Sequence, residues 1–384
     1  MIRLSLFRKG PEVVHFPHDP VPYQDPLMAA LQSAGISSGY LPDPAGCLPL
    51  PSPLTALARI ALFPLSLILA RLRGARILHL HWTYSFVPGP RTPRFVRPFF
   101  RFWFQLQLRL VQVLGLRLVY TAHNLLPHLP IFDDDEAARR SLTRSAQAII
   151  FHHAETATSF ANRFGPPIRS RIIAQGVPVM GALPDRTGAR TALGIAPEEL
   201  LIVFLGRIAP YKGLPVLLKA LPLLSESERS GLVVLVAGES ISAPLSAELR
   251  GLAAQAGVPV RLRTERISDL DFRTALAAAD LACLPFRSIS NSGSVLSILA
   301  AGVPAIIPDH PSLSDLPASA VLRYDRTDPV SGCAAALSAA IALGPGGRAI
   351  MRRSALDWAG ERTWVGAGRA TAALYRDLLA GLTR

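Results

Sequence analysis

Cysteine is scarce in this 384-residue chain: Cys47, Cys283 and Cys333 stand far apart, odd in number and without metal-ligand neighbours. That excludes a disulfide framework, and the three read as reduced, buried thiols of a cytosolic protein. Long hydrophobic runs are missing too. The best candidate, residues 60–70, is eleven residues between Arg59 and Arg71 with Pro64 inside, well short of the roughly 20 that span a bilayer. The first nine residues are too poor in apolar side chains for a signal peptide. Charge is sparse, at 17% of residues. No Lys/Arg block, zinc-finger spacing or RNP-like aromatic motif occurs, so nucleic acid is not an expected partner. No Asp-x-Asp motif follows a strand where it would hold a metal. The acidic run 133–136 precedes a helical pattern and reads as a solvated cap. His152 and His153 point apart on either a strand or a helix, so with Glu155 they do not make a metal site.

Half of the residues are hydrophobic, which makes a folded chain, and the length suits two domains better than one core. The net charge of +13 suits phosphate-bearing ligands or an anionic membrane surface, although an Arg-rich composition from a GC-rich genome produces the same balance. Short apolar runs alternate with longer helical stretches. Residues 77–81, 116–121 and 148–151 read as buried strands of a first domain. Residues 201–205, 232–237, 260–262, 281–284 and 305–307 repeat the pattern in a second. Strands separated by helices imply parallel sheets, hence two doubly wound α/β domains. The Pro- and Gly-bearing stretch 177–190 is the expected linker. The helical stretch 351–379 holds Trp358, Trp364 and Tyr375, which suit a helix returning to the first domain or packing within the second.

Two cations five apart, Arg207 and Lys212, lie in Phe204-Leu-Gly-Arg-Ile-Ala-Pro-Tyr-Lys-Gly213, a glycine-bounded loop after an apolar strand. Later, Ser290-Asn-Ser-Gly-Ser-Val-Leu296 puts small residues where a helix begins. A cation-bearing strand-end loop facing a helix N-terminus is a way to hold a diphosphate. The plain alternatives are solvated cations and an ordinary N-cap at Ser292. In the first half, His123 directly follows a strand, where α/β sheets bind ligands, and a base role suits it as well as a structural one. His81 and Trp82 sit at another strand end, the Trp as a wall for a sugar ring or as core. Asp19 and Tyr23 lie in Phe16-Pro-His-Asp-Pro-Val-Pro-Tyr23, read as the first strand-to-helix loop. Residues 91–104 interleave arginines with aromatics, as a segment on an anionic membrane does and as an ordinary amphipathic helix does.

These strings occur with Ala278-Ala-Asp-Leu-Ala-Cys-Leu-Pro-Phe286 and Ala301-Gly-Val-Pro-Ala-Ile-Ile-Pro308 in the second half. The first half adds His79-Leu-His-Trp82 and Tyr120-Thr-Ala-His-Asn-Leu-Leu-Pro-His128. Together they resemble GT-B glycosyltransferases, closest to the family 4-like and bacterial exopolysaccharide group, over nearly the whole chain. The resemblance implies two doubly wound parallel-sheet domains facing a cleft, with a C-terminal helix crossing back. Residues 1–182 would hold the acceptor, 183–350 the nucleotide sugar, and 351–384 would return to the first domain. It implies transfer from a nucleotide diphosphate sugar without metal or other cofactor. The acceptor would be a saccharide, lipid-linked or a small molecule, and the enzyme cytoplasmic or peripheral on the inner membrane face.

In such enzymes the residues matching Arg207 and Lys212 neutralise the leaving diphosphate. The implied catalytic set is His123, Arg207, Lys212 and, for an inverting reaction, Asp19. The implied donor set is Gly206, Arg207, Lys212, Arg266, Ile267, Asn291, Ser292, Gly293, Ser294 and Ser297. The implied acceptor set is Tyr23, His81, Trp82 and Asn124. One departure stands out: Ile289 and Ser297 occupy the positions of two glutamates usual in family 4, so ribose recognition differs and that family's retaining mechanism does not carry over. An inactive sugar-nucleotide-binding protein and a GT-B epimerase are the alternatives.

Overall fold

The computed structural model describes residues 9–19, 23–49, 51–89, 91–127, 129–289 and 293–381. The chain divides into two compact units, Met1–Gly176 with Trp364–Arg384, and Val177–Thr363. Each is an α/β unit around one fully parallel six-stranded sheet.

Unit 1 carries β1 (Val13–Phe16), β2 (Ser38–Tyr40), β3 (Ile77–Leu80), β4 (Arg117–Thr121), β5 (Ala148–Phe151) and β6 (Ser170–Ile172), in the order β2-β1-β3-β4-β5-β6. Its helices are α1 (Asp25–Ser33), α2 (Ser52–Ala61), α3 (Phe63–Leu72), α4 (Arg97–Val113), α5 (Asp135–Ser145) and α6 (Ala154–Phe164). Unit 2 carries β7 (Leu200–Leu205), β8 (Leu232–Ala237), β9 (Val260–Arg263), β10 (Leu281–Cys283), β11 (Ala305–Pro308) and β12 (Val321–Tyr324), in the order β12-β11-β10-β7-β8-β9. Its helices are α7 (Arg186–Leu193), α8 (Leu214–Ala220), α9 (Glu226–Arg229), α10 (Ala243–Ala254), α11 (Asp269–Ala278), α12 (Gly293–Ala300), α13 (Pro329–Ala342) and α14 (Gly344–Glu361). The last helix, α15 (Trp364–Ala380), belongs to unit 1.

The central strands are the ones legible as apolar runs. β7 and β8 are buried along nearly their whole length, as parallel strands covered on both faces must be. The edge strands β2, β6 and β12 carry no such run. β6 is exposed throughout, so burial leaves no pattern in it to read.

Helix starts follow local chemistry. Asp134 caps α5 by accepting from Ala137 N, and Asp135 accepts from the backbone N–H groups of Ile131 and Phe132. Asp133 pairs with Arg101, and Glu136 with Arg140 and Arg163. The acidic run is therefore taken up by a cap and ion pairs.

Only α15 returns. α14 packs on α12 and α13 within unit 2, so the return starts at Trp364 and not at residue 351, and the first division falls at Gly176, not 182. α15 lies along α1 so closely that a Cβ on Gly368 would come 2.5 Å from Ala30 Cβ. Tyr375 and Leu374 are buried, and Trp364 packs edge-on to Tyr23 at 5.3 Å. Trp358, by contrast, stays with unit 2, under the guanidinium of Arg362. Cys283 and Cys333 are buried with their sulfurs 3.7 Å apart. Cys47, expected to be buried, is exposed because it ends a surface 3-10 turn between β2 and α2. Among the described residues, no single helix is long and apolar enough to cross a membrane.

Candidate functional site

Each sheet reverses its winding once, between β7 and β10 in unit 2 and between β1 and β3 in unit 1. At such a point neighbouring loops leave toward opposite faces, and a crevice opens at the strands' carboxyl ends.

In unit 2 the crevice lies between the loops after β7 and β10. Gly206, with φ of 119°, follows β7 directly, and a Cβ there would lie 2.7 Å from Ser294 Oγ. Only glycine lets this loop reach the start of α12. Lys212 ends the 3-10 turn Pro210–Lys212. Its Nζ stands 3.5 Å from the same Ser294 Oγ and 4.8 Å from the Phe286 ring centre. Arg207 is exposed. Burial, aided by Arg207, pulls the Lys212 ammonium down to about 8. A desolvated ammonium beside a guanidinium and a helix N-terminus favours an anion.

The remaining donor candidates divide. Gly293 and Ser294 open α12, with Gly293 exposed. Asn291 and Ser292 lie outside the described residues. Ser297 is buried in α12 and Ile289 is part of the core, so neither position offers a carboxylate. Arg266 is exposed in the loop between β9 and α11, and Ile267 is half-buried against the core of unit 2. Among the described residues nothing ties these two to the Lys212–Ser294 pair.

In unit 1 the carboxyl ends of β1, β3, β4 and β5 deliver a buried set of histidines that sequence reasoning had only partly found. His15 Nδ1 and His81 Nε2 are 2.9 Å apart. His79 uses both nitrogens, with Tyr375 OH at 2.6 Å and Thr121 Oγ1 at 2.7 Å. Thr121 is also the hydrogen-bond partner of Tyr23, whose phenol is raised by burial. Nitrogens of His15, His79 and His81 lie within 4.8 Å of one another, yet the trio fits a metal poorly. A metal bound by His15 Nδ1 and His81 Nε2 would leave both remaining ring N–H groups without acceptors, since His15 Nε2 and His81 Nδ1 have no partner among the described residues. Metal-ligating histidines normally pass that N–H to an acceptor. The arrangement is a neutral hydrogen-bonded cluster. Burial drives His15 down to about 3 and holds His79, His81 and His123 well below the usual range.

His123 stacks on Trp82 at 4.6 Å and 13°. Trp82 and Asn124 are half-buried, whereas Tyr23 and His81 are core residues, so any effect of those two on an acceptor runs through Trp82 and His123. Asp19 is half-buried and accepts from Tyr84 OH at 2.8 Å.

The Arg-aromatic stretch resolves into two kinds of residue. Arg97 is buried, donating to the carbonyls of Thr92 and Pro130, and Arg101 forks onto Asp133 at 2.8 and 2.9 Å. Both are structural, so of the two readings left open for this stretch the ordinary helix holds for Arg97 and Arg101. Phe100 and Phe104 are core. Phe95, Phe99 and Phe102, at 83, 61 and 57% exposure, point outward at a spacing of four and three, and Arg91 and Arg94 are exposed just before them.

Residues 185–325 match the family model of glycosyl transferases group 1. A D-inositol 3-phosphate glycosyltransferase of Rhodococcus jostii is 30% identical over 212 residues, 50% of this chain and 46% of that protein. The chain thus spans about half the length of the curated relatives it matches. The Anabaena protein HepE, solved with UDP, superimposes with a TM-score of 0.68 at 14% identity, over 95% of this chain and 98% of that one. WaaG, a glycosyltransferase involved in lipopolysaccharide biosynthesis, superimposes with a TM-score of 0.59 at 16% identity, over 85% and 96%. These likenesses show the GT-B fold. The family match falls within unit 2.

The histidine cluster predicts acid lability. His15, His79, His81 and His123 stay neutral in the fold, while in the unfolded chain they take up protons below about pH 6.5. The unfolded state then binds more protons, so stability is intact above pH 6.5 and falls as pH drops, by at most about 1.4 kcal/mol per histidine per pH unit. Urea midpoints are expected to decline from pH 7 to pH 5. A flat profile would show that the histidines are not held neutral.

Proposed function

We propose that this chain is a glycosyltransferase whose unit 2 binds a nucleotide diphosphate sugar and whose unit 1 binds the acceptor. One observation carries the donor half: at the β7/β10 reversal, Gly206, Lys212 and the α12 N-terminus converge on Ser294. Departure of the diphosphate builds negative charge while the anomeric carbon becomes cationic, so fixed cations favour the transition state over the bound donor. Arg207 can clamp two oxygens and Lys212 acts as a point charge. Structures similar in fold were solved with UDP and UDP-glucose, which makes a uridine diphosphate sugar the first donor to try. With Ile289 and Ser297 in place of acids, the ribose is left to backbone and hydroxyl groups. Transfer proceeds without a metal, the two cations doing the work of a divalent ion.

The acceptor is presented at a membrane. The outward Phe95, Phe99 and Phe102 with Arg91 and Arg94 are the composition of an interfacial patch on an anionic surface. This reading puts the enzyme on the cytoplasmic face, with a lipid-linked acceptor in reach.

A panel of nucleotide sugars, with and without lipid-linked acceptors, tests the function: transfer supports it, while an epimerised donor or no product favours the rivals. Activity is expected to persist in a chelator, and restoration by manganese after loss would refute the metal-free reading. Arg207→Ala and Lys212→Ala should each lower kcat on the order of 10²-fold, and unchanged turnover in a folded variant removes that residue from the mechanism. Because the protonated Lys212 attracts the diphosphate more strongly than the neutral amine, UDP affinity should weaken above pH 8 in the free enzyme, by at most about tenfold per pH unit. An affinity constant from pH 7 to 9.5 would contradict this. Flotation with anionic liposomes should drop when Phe95, Phe99 and Phe102 are changed together to Ser, and equal flotation of wild type and variant would exclude the patch.

A further inference from the structure

The reversal in unit 1 carries more than the His123–Trp82 stack. Tyr40 ends β2, His18 and Asp19 follow β1, Trp82 and Tyr84 follow β3, and His123 follows β4. Because the strands run in the order β2-β1-β3-β4, these residues form a strip along one sheet edge. It spans about three strand spacings of ~4.8 Å. Contacts run along its length. Tyr40 OH donates to Asp25 Oδ1 at 2.7 Å, and His18 packs on Tyr40 at 4.1 Å. Tyr84 OH donates to Asp19 Oδ2 at 2.8 Å, and the Tyr84 ring lies 6.2 Å, centre to centre, from that of Trp82. Behind burial and Asp25, the charge of Asp19 helps to raise the Tyr40 phenol, and behind burial it raises that of Tyr84, so Asp19 lies between the two.

The strip is accessible: His18, Asp25 and Tyr84 are exposed, and Tyr40, Trp82 and Asp19 half-buried. Each carboxylate gives one oxygen to a phenol. Among the described residues its other oxygen takes no hydrogen bond, and neither acid is paired with a cation. His123, 8% exposed with its Nε2 buried, backs the strip through its stack on Trp82. Aromatic faces pack against the C–H face of a sugar ring, and carboxylate acceptors take its hydroxyl protons. A phosphate placed here would meet two carboxylates at short range.

We propose that this strip binds the acceptor as a neutral, hydroxyl-rich saccharide of at least two rings and disfavours a phosphorylated polyol. The word acceptor rests on the glycosyltransferase reading; the saccharide binding does not. The relatives named for inositol 3-phosphate match over about half of this chain, so their acceptor is not carried over with the match.

The test is saturation-transfer NMR on the full chain. The probes are neutral methyl glycosides and disaccharides of glucose, galactose, mannose and N-acetylglucosamine, with D-inositol 3-phosphate as the charged comparison. At least one disaccharide is expected to bind more tightly than its methyl glycoside, and D-inositol 3-phosphate more weakly than that disaccharide. Asp19→Asn with Asp25→Asn should weaken the disaccharide tenfold or more while leaving UDP affinity unchanged. Tyr84→Phe, which keeps the ring and removes one hydroxyl, should weaken it less and serves if the double variant does not fold. Preference for the inositol phosphate, saccharide binding indifferent to both variants, or failure of the whole panel in a chain that binds UDP would each overturn the proposal. Saccharide binding without UDP binding would leave the strip standing and remove the glycosyltransferase reading instead.

Discussion

A parallel sheet wound first to one side and then to the other cannot close over the carboxyl ends of the two strands where it reverses. Both units are built on that constraint. In unit 2 it separates the loop after β7 from the loop after β10, and the gap is bridged by the approach of Gly206 and Lys212 to Ser294. In unit 1 it separates the loops after β1 and β3, which carry Asp19, Trp82 and Tyr84. The candidate groups thus stand where the backbone leaves room, and the flanking helices serve to hold the strands that define the gap.

Burial acts on titratable groups in opposite ways at the two places. In unit 2 it withdraws water from one ammonium, which sharpens its attraction for an incoming anion and makes it titrate nearer neutrality. In unit 1 it holds protonation well below the usual imidazole range, so His15, His79 and His81 serve as neutral hydrogen-bonding groups near neutral pH. The Tyr375–His79–Thr121 connection shows how such groups are kept satisfied inside a core. It also explains why the chain returns: α15 completes the face of the unit 1 sheet and supplies the hydroxyl that His79 needs.

Much of the architecture was legible because covered parallel strands leave continuous apolar runs, as in β7 and β8, and because turns and caps are local. The loop around Arg207 and Lys212 was legible for the same reason: two cations and two glycines within one loop after one strand. Edge strands such as β6 were not, since an exposed strand carries no hydrophobic signature. Arg97 and Arg101 looked like surface charges, and nothing near them in sequence shows the carbonyls and the carboxylate that receive them.

The sequence by itself determined the class of fold, the two-unit plan and the identity of the cationic loop, because each depends on periodicity or on neighbours a few positions apart. Only the tertiary structure decided that Gly206 meets Ser294, that His15, His79 and His81 share one buried cluster, and that Tyr40, Asp19 and Tyr84 line one edge. Those groupings depend on strand order. Residues distant in the chain become neighbours when β1 is placed between β2 and β3, or β7 between β10 and β8, and strand order is set by how helices pack across the sheet, which no local pattern of residues encodes.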